Sequence, residues 1–127
     1  MRIIHQADTH TSAPEPSHFT GDVFLAQADA GPHPIVTYLV TFTPGSRTHW
    51  HVHPGGQALH VITGRGRVGV RDGTIRTFAA GDVVLAEPGE EHWHGAAVDS
   101  PMAHLSITLE PTVWSDEPVD DATYGGR

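Results

Sequence analysis

Along much of this chain, hydrophobic and polar positions alternate with the period of a β-strand. In Val36-Thr37-Tyr38-Leu39-Val40-Thr41-Phe42, alternation puts Val36, Tyr38, Val40 and Phe42 on one face. Thr37, Leu39 and Thr41 fall on the other, because successive strand side chains point to opposite faces. Ala103–Leu109 repeats the pattern, with His104, Ser106 and Thr108 on one side and Ala103, Leu105, Ile107 and Leu109 on the other. Branched and aromatic residues, which suit pleated surfaces, also mark strands at Ala58–Thr63, Arg67–Arg71, Thr74–Phe78 and Asp82–Ala86, with a short extended piece at Glu91–His94. Pro44-Gly45 and Pro88-Gly89 read as turns, and Asp72-Gly73 is a strong two-residue hairpin signal. Gly64-Arg65-Gly66 reads as a hairpin turn closing the strand before it. No stretch carries a helical apolar stripe. Short strands parted by Gly and Pro predict an all-β sandwich or barrel.

The flanks are less regular. Arg2–Ile4 is a candidate short strand, residues 5–18 an extended arm or loop with Pro14 and Pro16, Val23–Leu25 a strand, and Ala28–Pro34 a loop. Residues 110–127 form an acidic tail. Trp114 and Tyr124 are candidates to pin it, and Asp116–Asp121 reads as a solvated acidic run. A length of 127 residues suggests one domain: an arm with edge strands over 1–34, a core over 35–109, and the tail. Gly45 opens a strand carrying histidines and Gly81 opens another leading to histidines. Two such halves suit a jelly roll of two antiparallel sheets.

Composition narrows the chemistry. There is no cysteine, so disulfides, thiolate metal sites and a cysteine nucleophile are excluded. There is no lysine, so a lysine Schiff base is excluded too. Seven arginines stand against fifteen acids, for a net charge of −8. Such a chain is poorly suited to gathering phosphates, so nucleic acid is not expected as a partner. No window reaches the roughly 18 apolar residues of a membrane helix. The start does not resemble a signal peptide, and a cytoplasmic protein is the expectation.

Histidine is the residue that stands out. Seven of the eleven fall between positions 49 and 104: His49, His51, His53, His60, His92, His94 and His104. Neutral imidazole is the commonest protein ligand for transition metals. His51 and His53 are two apart, so a strand aims both at one face. Pro54-Gly55-Gly56 then turns the chain, and Gln57 can return an amide oxygen to the same point. His92 and His94 form a second same-face pair. A metal site needs three or four donors converging from separate elements, and two of the first histidines, Gln57 and one of the second pair can supply them.

These segments resemble the two motifs of the cupin superfamily. Gly45, His51, His53, Gln57 and Gly64 stand at the spacing of the first motif, and Gly81, Pro88-Gly89 and His92 at that of the second. The resemblance implies a jelly-roll β-barrel with His51, His53, Gln57 and His92 as metal ligands. Gln57 stands where the general motif has glutamate, and Ala96 where the second motif often has asparagine. The strings W-H-V-H-P-G-G-Q-A-L, G-D-V-V-L-A-E-P-G-E-E-H-W-H-G-A and M-A-H-L-S-I are similar to small cupins with three histidines and a glutamine at the metal. That group includes manganese-dependent hydroxynitrile lyases, relatives of unknown activity, and domains related to carboxymuconolactone decarboxylase. It implies one divalent ion per chain, manganese first, with iron, nickel or zinc as alternatives. Three neutral imidazoles and a neutral amide would leave that ion at formal +2, favouring anionic guests.

His94 and His104 are the candidates for acid–base work, since an imidazole titrating near about 6.5 passes protons at neutral pH. Tyr38, Val40, Phe42, Thr48 and Thr108 would line the pocket if their faces point inward. The sharpest functional expectation is a metal-dependent lyase of the hydroxynitrile type acting on a small polar molecule. The alternatives are a metal-dependent oxygenase and a cupin that only binds metal or a small ligand. The resemblance also implies a homodimer with Met1–Ile4 as an exchanged strand. Blander roles are assigned elsewhere: His49 at the pocket rim or behind the ligands, His60 structural and facing away, His5, His10, His18 and His33 solvated, and Trp50 and Trp93 packing behind the histidine face.

Overall fold

The computed structural model describes residues 1–28, 31–109 and 111–125. In chain order its strands are β1 (His10–Ser12), β2 (Phe19–Thr20), β3 (Val23–Gln27), β4 (Val36–Phe42), β5 (Arg47–Thr48), β6 (His51–Val52), β7 (Gln57–Val70), β8 (Ile75–Ala79), β9 (Val83–Ala86), β10 (His92–Ala96), β11 (Met102–Thr108) and β12 (Val113–Trp114). A 3-10 turn covers Gln6–Asp8 and a short helix, α1, covers Asp121–Tyr124.

All pairings are antiparallel and make two sheets that share β7. One sheet runs β1-β3-β4-β11-β7-β9. The other runs β8-β7-β10, with β5 and β6 against the far side of β10 and β2 and β12 beyond them. The first half of β7 pairs in the first sheet and the second half in the second, so one 14-residue strand carries the chain round the barrel corner.

That corner corrects the expected hairpin turn at Gly64-Arg65-Gly66. The segment stays in the sheets, with Arg65 opposite Ala79 and Gly66 opposite Phe78. Its glycines answer to crowding at the bend. Gly64 has φ +78° and a Cβ there would strike the Pro101 backbone, while a Cβ on Gly66 would strike the Phe78 ring. The Asp72-Gly73 hairpin forms between β7 and β8, with Gly73 at φ 91°.

Inside the barrel the alternation works as read. Cross-strand pairs from β4 and β11 climb from an apolar floor to a polar mouth: Phe42 with Met102, Val40 with His104, Tyr38 with Ser106, Val36 with Thr108. The floor is the cluster Val23, Val40, Phe42, Val61, Phe78, Ala96 and Met102. Leu39, Ile107, Ile62, Val83 and Leu85 point outward and are exposed.

The flanks depart from expectation. Arg2–Ile4 forms no strand, and Met1 and Ile3 are exposed. Instead His10–Ser12 pairs with β3, within the segment read as an extended arm or loop. The tail is docked. Val119 and Tyr124 pack with Trp50 and Trp93 in a second apolar cluster on the outside of β10, so β10 is buried on both faces. The Arg47 guanidinium donates to the Val119 carbonyl at 3.0 and 2.7 Å. The acidic run is correspondingly not just solvated: Asp121 pairs with Arg47, Glu117 with Arg71, and Asp120 caps α1. No helix among the described residues is long and apolar enough to cross a membrane.

Candidate metal centre

The β6–β10 ladder sets His51 directly opposite His92. His53 follows His51 by two residues, and Gln57 opens β7 opposite Thr108. One ring nitrogen from each of His51, His53 and His92 lies within 4.8 Å of the others, and all three residues are buried. Their Nδ1 atoms are occupied. His51 Nδ1 donates to the His49 carbonyl at 2.9 Å, His92 Nδ1 to the Glu90 carbonyl at 2.9 Å, and His53 Nδ1 meets Thr112 Oγ1 at 3.4 Å. A backbone carbonyl accepts only, so His51 and His92 carry their protons on Nδ1 and Nε2 remains a lone-pair donor.

Three features fit a cation. His53 Nε2 is buried and has no hydrogen-bond partner among the described residues, which is unusual unless something else occupies it. Gln57 Oε1 lies 3.2 Å from His92 Nε2. Two ligand atoms on bonds of about 2.1 Å stand roughly 3.0 to 3.4 Å apart in octahedral or tetrahedral arrangement, so this spacing suits neighbours in one shell. The electrostatics agree, because ligating imidazole must be neutral. Burial lowers His53 to about 4, with His92 close by adding to the effect, and lowers His51 well below its usual range for the same reasons. His92 is lowered mainly by burial. The cluster could therefore hold a metal ion.

A pocket of about 210 Å³ opens onto this cluster. His51, His53 and Gln57 line it, as do His94 and His104. His92 does not; it lies behind His51, ring centroids 4.4 Å apart, and borders a second cavity of about 530 Å³ on its other side. The residues read as pocket walls, Tyr38, Val40, Phe42, Thr48 and Thr108, all line the pocket.

His94 and His104 face each other across the pocket floor with ring centroids 5.0 Å apart, and Phe42 lies within 6 Å of both. His94 Nδ1 and both His104 nitrogens are buried without a partner among the described residues. Burial holds His104 near 4, and burial with His104 alongside pushes His94 well below the ordinary imidazole range. Both are neutral at pH 7.

Other histidines sort by burial. His60 is exposed, as its parity required, and so are His5, His10 and His33. His49 is buried beside Thr20 and anchors His51 through its carbonyl. His18 corrects the reading. It is half-buried, lines the pocket, and stacks on Trp114 with centroids 4.2 Å apart and planes 5° apart. The arm and the tail therefore meet over the mouth, adding His18, Phe19, Thr112 and Trp114 to the wall. Sequence reasoning missed these because neither segment carries a periodic pattern. An aromatic in each polar flank was the one available signal.

A two-sheet barrel with a buried imidazole cluster opening on an internal pocket is a small β-barrel whose interior could hold a metal ion. The chain belongs to the cupin family: residues 38–108 match the cupin domain. It is 45% identical over 91 residues to the (R)-mandelonitrile lyase of Granulicella tundricola, covering 70% of each chain. Among solved structures it resembles a cupin-like protein from Thermotoga maritima, with a TM-score of 0.83 and 39% identity over 89% of this chain and 90% of that one. It also resembles Bacillus subtilis oxalate decarboxylase, described for its Mn(II) centres, at a TM-score of 0.61 and 26% identity, covering 81% of this chain and 29% of that enzyme.

Proposed function

We propose that the protein is a metal-dependent carbon–carbon lyase that interconverts a cyanohydrin with an aldehyde and cyanide. The metal is a divalent ion, manganese first, held by His51, His53, Gln57 and His92. The observation that carries the catalytic part is the second histidine pair. His94 and His104 lie in the ligand pocket with buried ring nitrogens that nothing among the described residues engages. A module that only binds metal does not require two such groups. Their desolvation costs the fold stability, and buried, perturbed imidazoles in a pocket are candidates for acid–base chemistry. The mandelonitrile lyase relative and the Mn(II) centres of the oxalate decarboxylase support this choice of reaction and metal.

The bound ion supplies Lewis acidity toward the substrate hydroxyl, so that a weakly basic imidazole suffices to take its proton. One imidazole of the pair accepts the hydroxyl proton. The oxygen electrons form the carbonyl, the bond to the nitrile carbon breaks, and its electron pair leaves with cyanide. Imidazolium in so apolar a site is a strong acid, and it returns the proton to cyanide as HCN. Phe19, Phe42 and Trp114, with the Leu25 and Val40 side chains, give the substituent an apolar wall and limit water.

The test is mandelonitrile with manganese-loaded protein. Benzaldehyde and cyanide should appear in equal amounts with no oxygen uptake. Oxygen consumption without cyanide would replace this reading by the oxygenase, and neither product would leave a binding module.

A further inference from the structure

The ligand amide has two ends of similar size, and only the oxygen has lone pairs to give a cation. When the oxygen faces the imidazoles the NH2 needs an acceptor, and that acceptor lies on β11. Gln57 Nε2 donates to Ser106 Oγ at 2.8 Å, while Oε1 faces His92 Nε2 at 3.2 Å. Gln57 is 8% exposed and Ser106 4%, so the contact between them lies in the buried wall of the pocket. The register makes the contact. Gln57 faces Thr108 across the ladder, and Ser106 is the next inward residue of β11.

We propose that Ser106 is a positioning residue: its hydroxyl oxygen accepts from the Gln57 amide nitrogen and so holds the amide oxygen toward the imidazoles. This rests on the reading that Gln57 is a ligand. The physical argument is an asymmetry between two states. Without the ion, a Gln57 amide that lost Ser106 can turn its NH2 toward the His92 Nε2 lone pair. With the ion bound to Oε1, that escape is closed, and the NH2 is left buried with no acceptor. An unmade buried hydrogen bond is penalised more than a made one is rewarded. The penalty therefore falls on the loaded state and appears as weaker metal binding.

The experiment measures Mn(II) affinity by competition with a chelator, in a double-mutant cycle on the full chain. Ser106→Ala should weaken binding about 10- to 100-fold, the usual effect of losing a group that orients a ligand. Ser106→Thr, which keeps a hydroxyl, should restore it. In a Gln57→Ala background, Ser106→Ala should have no further effect, because no amide remains to orient. Thermal unfolding of the metal-free Ser106→Ala protein should match wild type. An equal loss in both backgrounds, or no loss in Ser106→Ala while Gln57→Ala weakens binding, overturns the positioning role alone. Unchanged affinity in Gln57→Ala overturns the ligand reading instead.

Discussion

Burial separates the central histidines into roles. His60 points out of its strand and is exposed, whereas His104 is fully buried with neither nitrogen engaged among the described residues. Its folded value near 4 lies below the ordinary 6.5, so between those values the unfolded chain binds a proton that the folded chain does not. Stability from this group is therefore complete above pH 6.5 and falls as pH drops toward 4, by about 3 kcal/mol. In urea titrations of metal-free protein, His104→Gln should lose correspondingly less stability over that window. In the proposed reaction, His104→Ala should keep its metal and lose roughly 10²- to 10⁴-fold in kcat. If the pair acts as base, the acid limb of kcat should lie nearer pH 4 than 6.5. The cluster of His51, His53 and His92 was legible because two-residue spacing put each histidine pair on one strand face and the resemblance to the cupin motifs chose among them. Ser106 was visible only as a neighbour on the face of His104, since no spacing rule announces which hydroxyl an amide will find.

At the scale of elements, the site depends on β10. Its inward residues are His92 and His94 and its outward ring is Trp93, which lies over Gly69, where any Cβ would strike the indole. The tail seals that outer face through Tyr124, whose hydroxyl donates to the Ala96 carbonyl and whose ring is flanked by Arg47 and Arg67. Tyr124→Ala should destabilise the protein by about 3 kcal/mol in urea denaturation, the usual range for emptying a buried aromatic site. The strands of the core were readable from period-two alternation and turn residues. The corner at Gly64–Gly66 was misread because glycine marks both turns and close approaches, and only the position of Phe78 and Pro101 tells them apart. The tail was legible only in its aromatics, since α1 is one turn long and is held by tertiary contacts with Arg47 and Trp93.

For the molecule as a whole, the barrel divides into an apolar floor that holds it together and a polar mouth that it must carry at a cost. In the proposed metal site a cation would engage the unpartnered Nε2 of His53 together with His51 and His92. Binding to the folded state alone raises stability by mass action, about 2.7 kcal/mol at a hundredfold excess over Kd. The thermal midpoint should therefore rise when Mn(II) is added to chelator-treated protein. The two-sheet barrel was legible because both halves place histidines after a glycine-opened strand. The closing of its mouth by the arm and tail was not, because that contact joins segments nearly a hundred residues apart without regular pattern.

The most direct measurement is the metal content of purified wild-type, His51→Ala and His92→Ala proteins by elemental analysis. The expected result is one divalent transition metal per wild-type chain and little in either variant, with both variants still folded. A full complement of metal in folded His51→Ala or His92→Ala would contradict the convergence of these imidazoles on one ion.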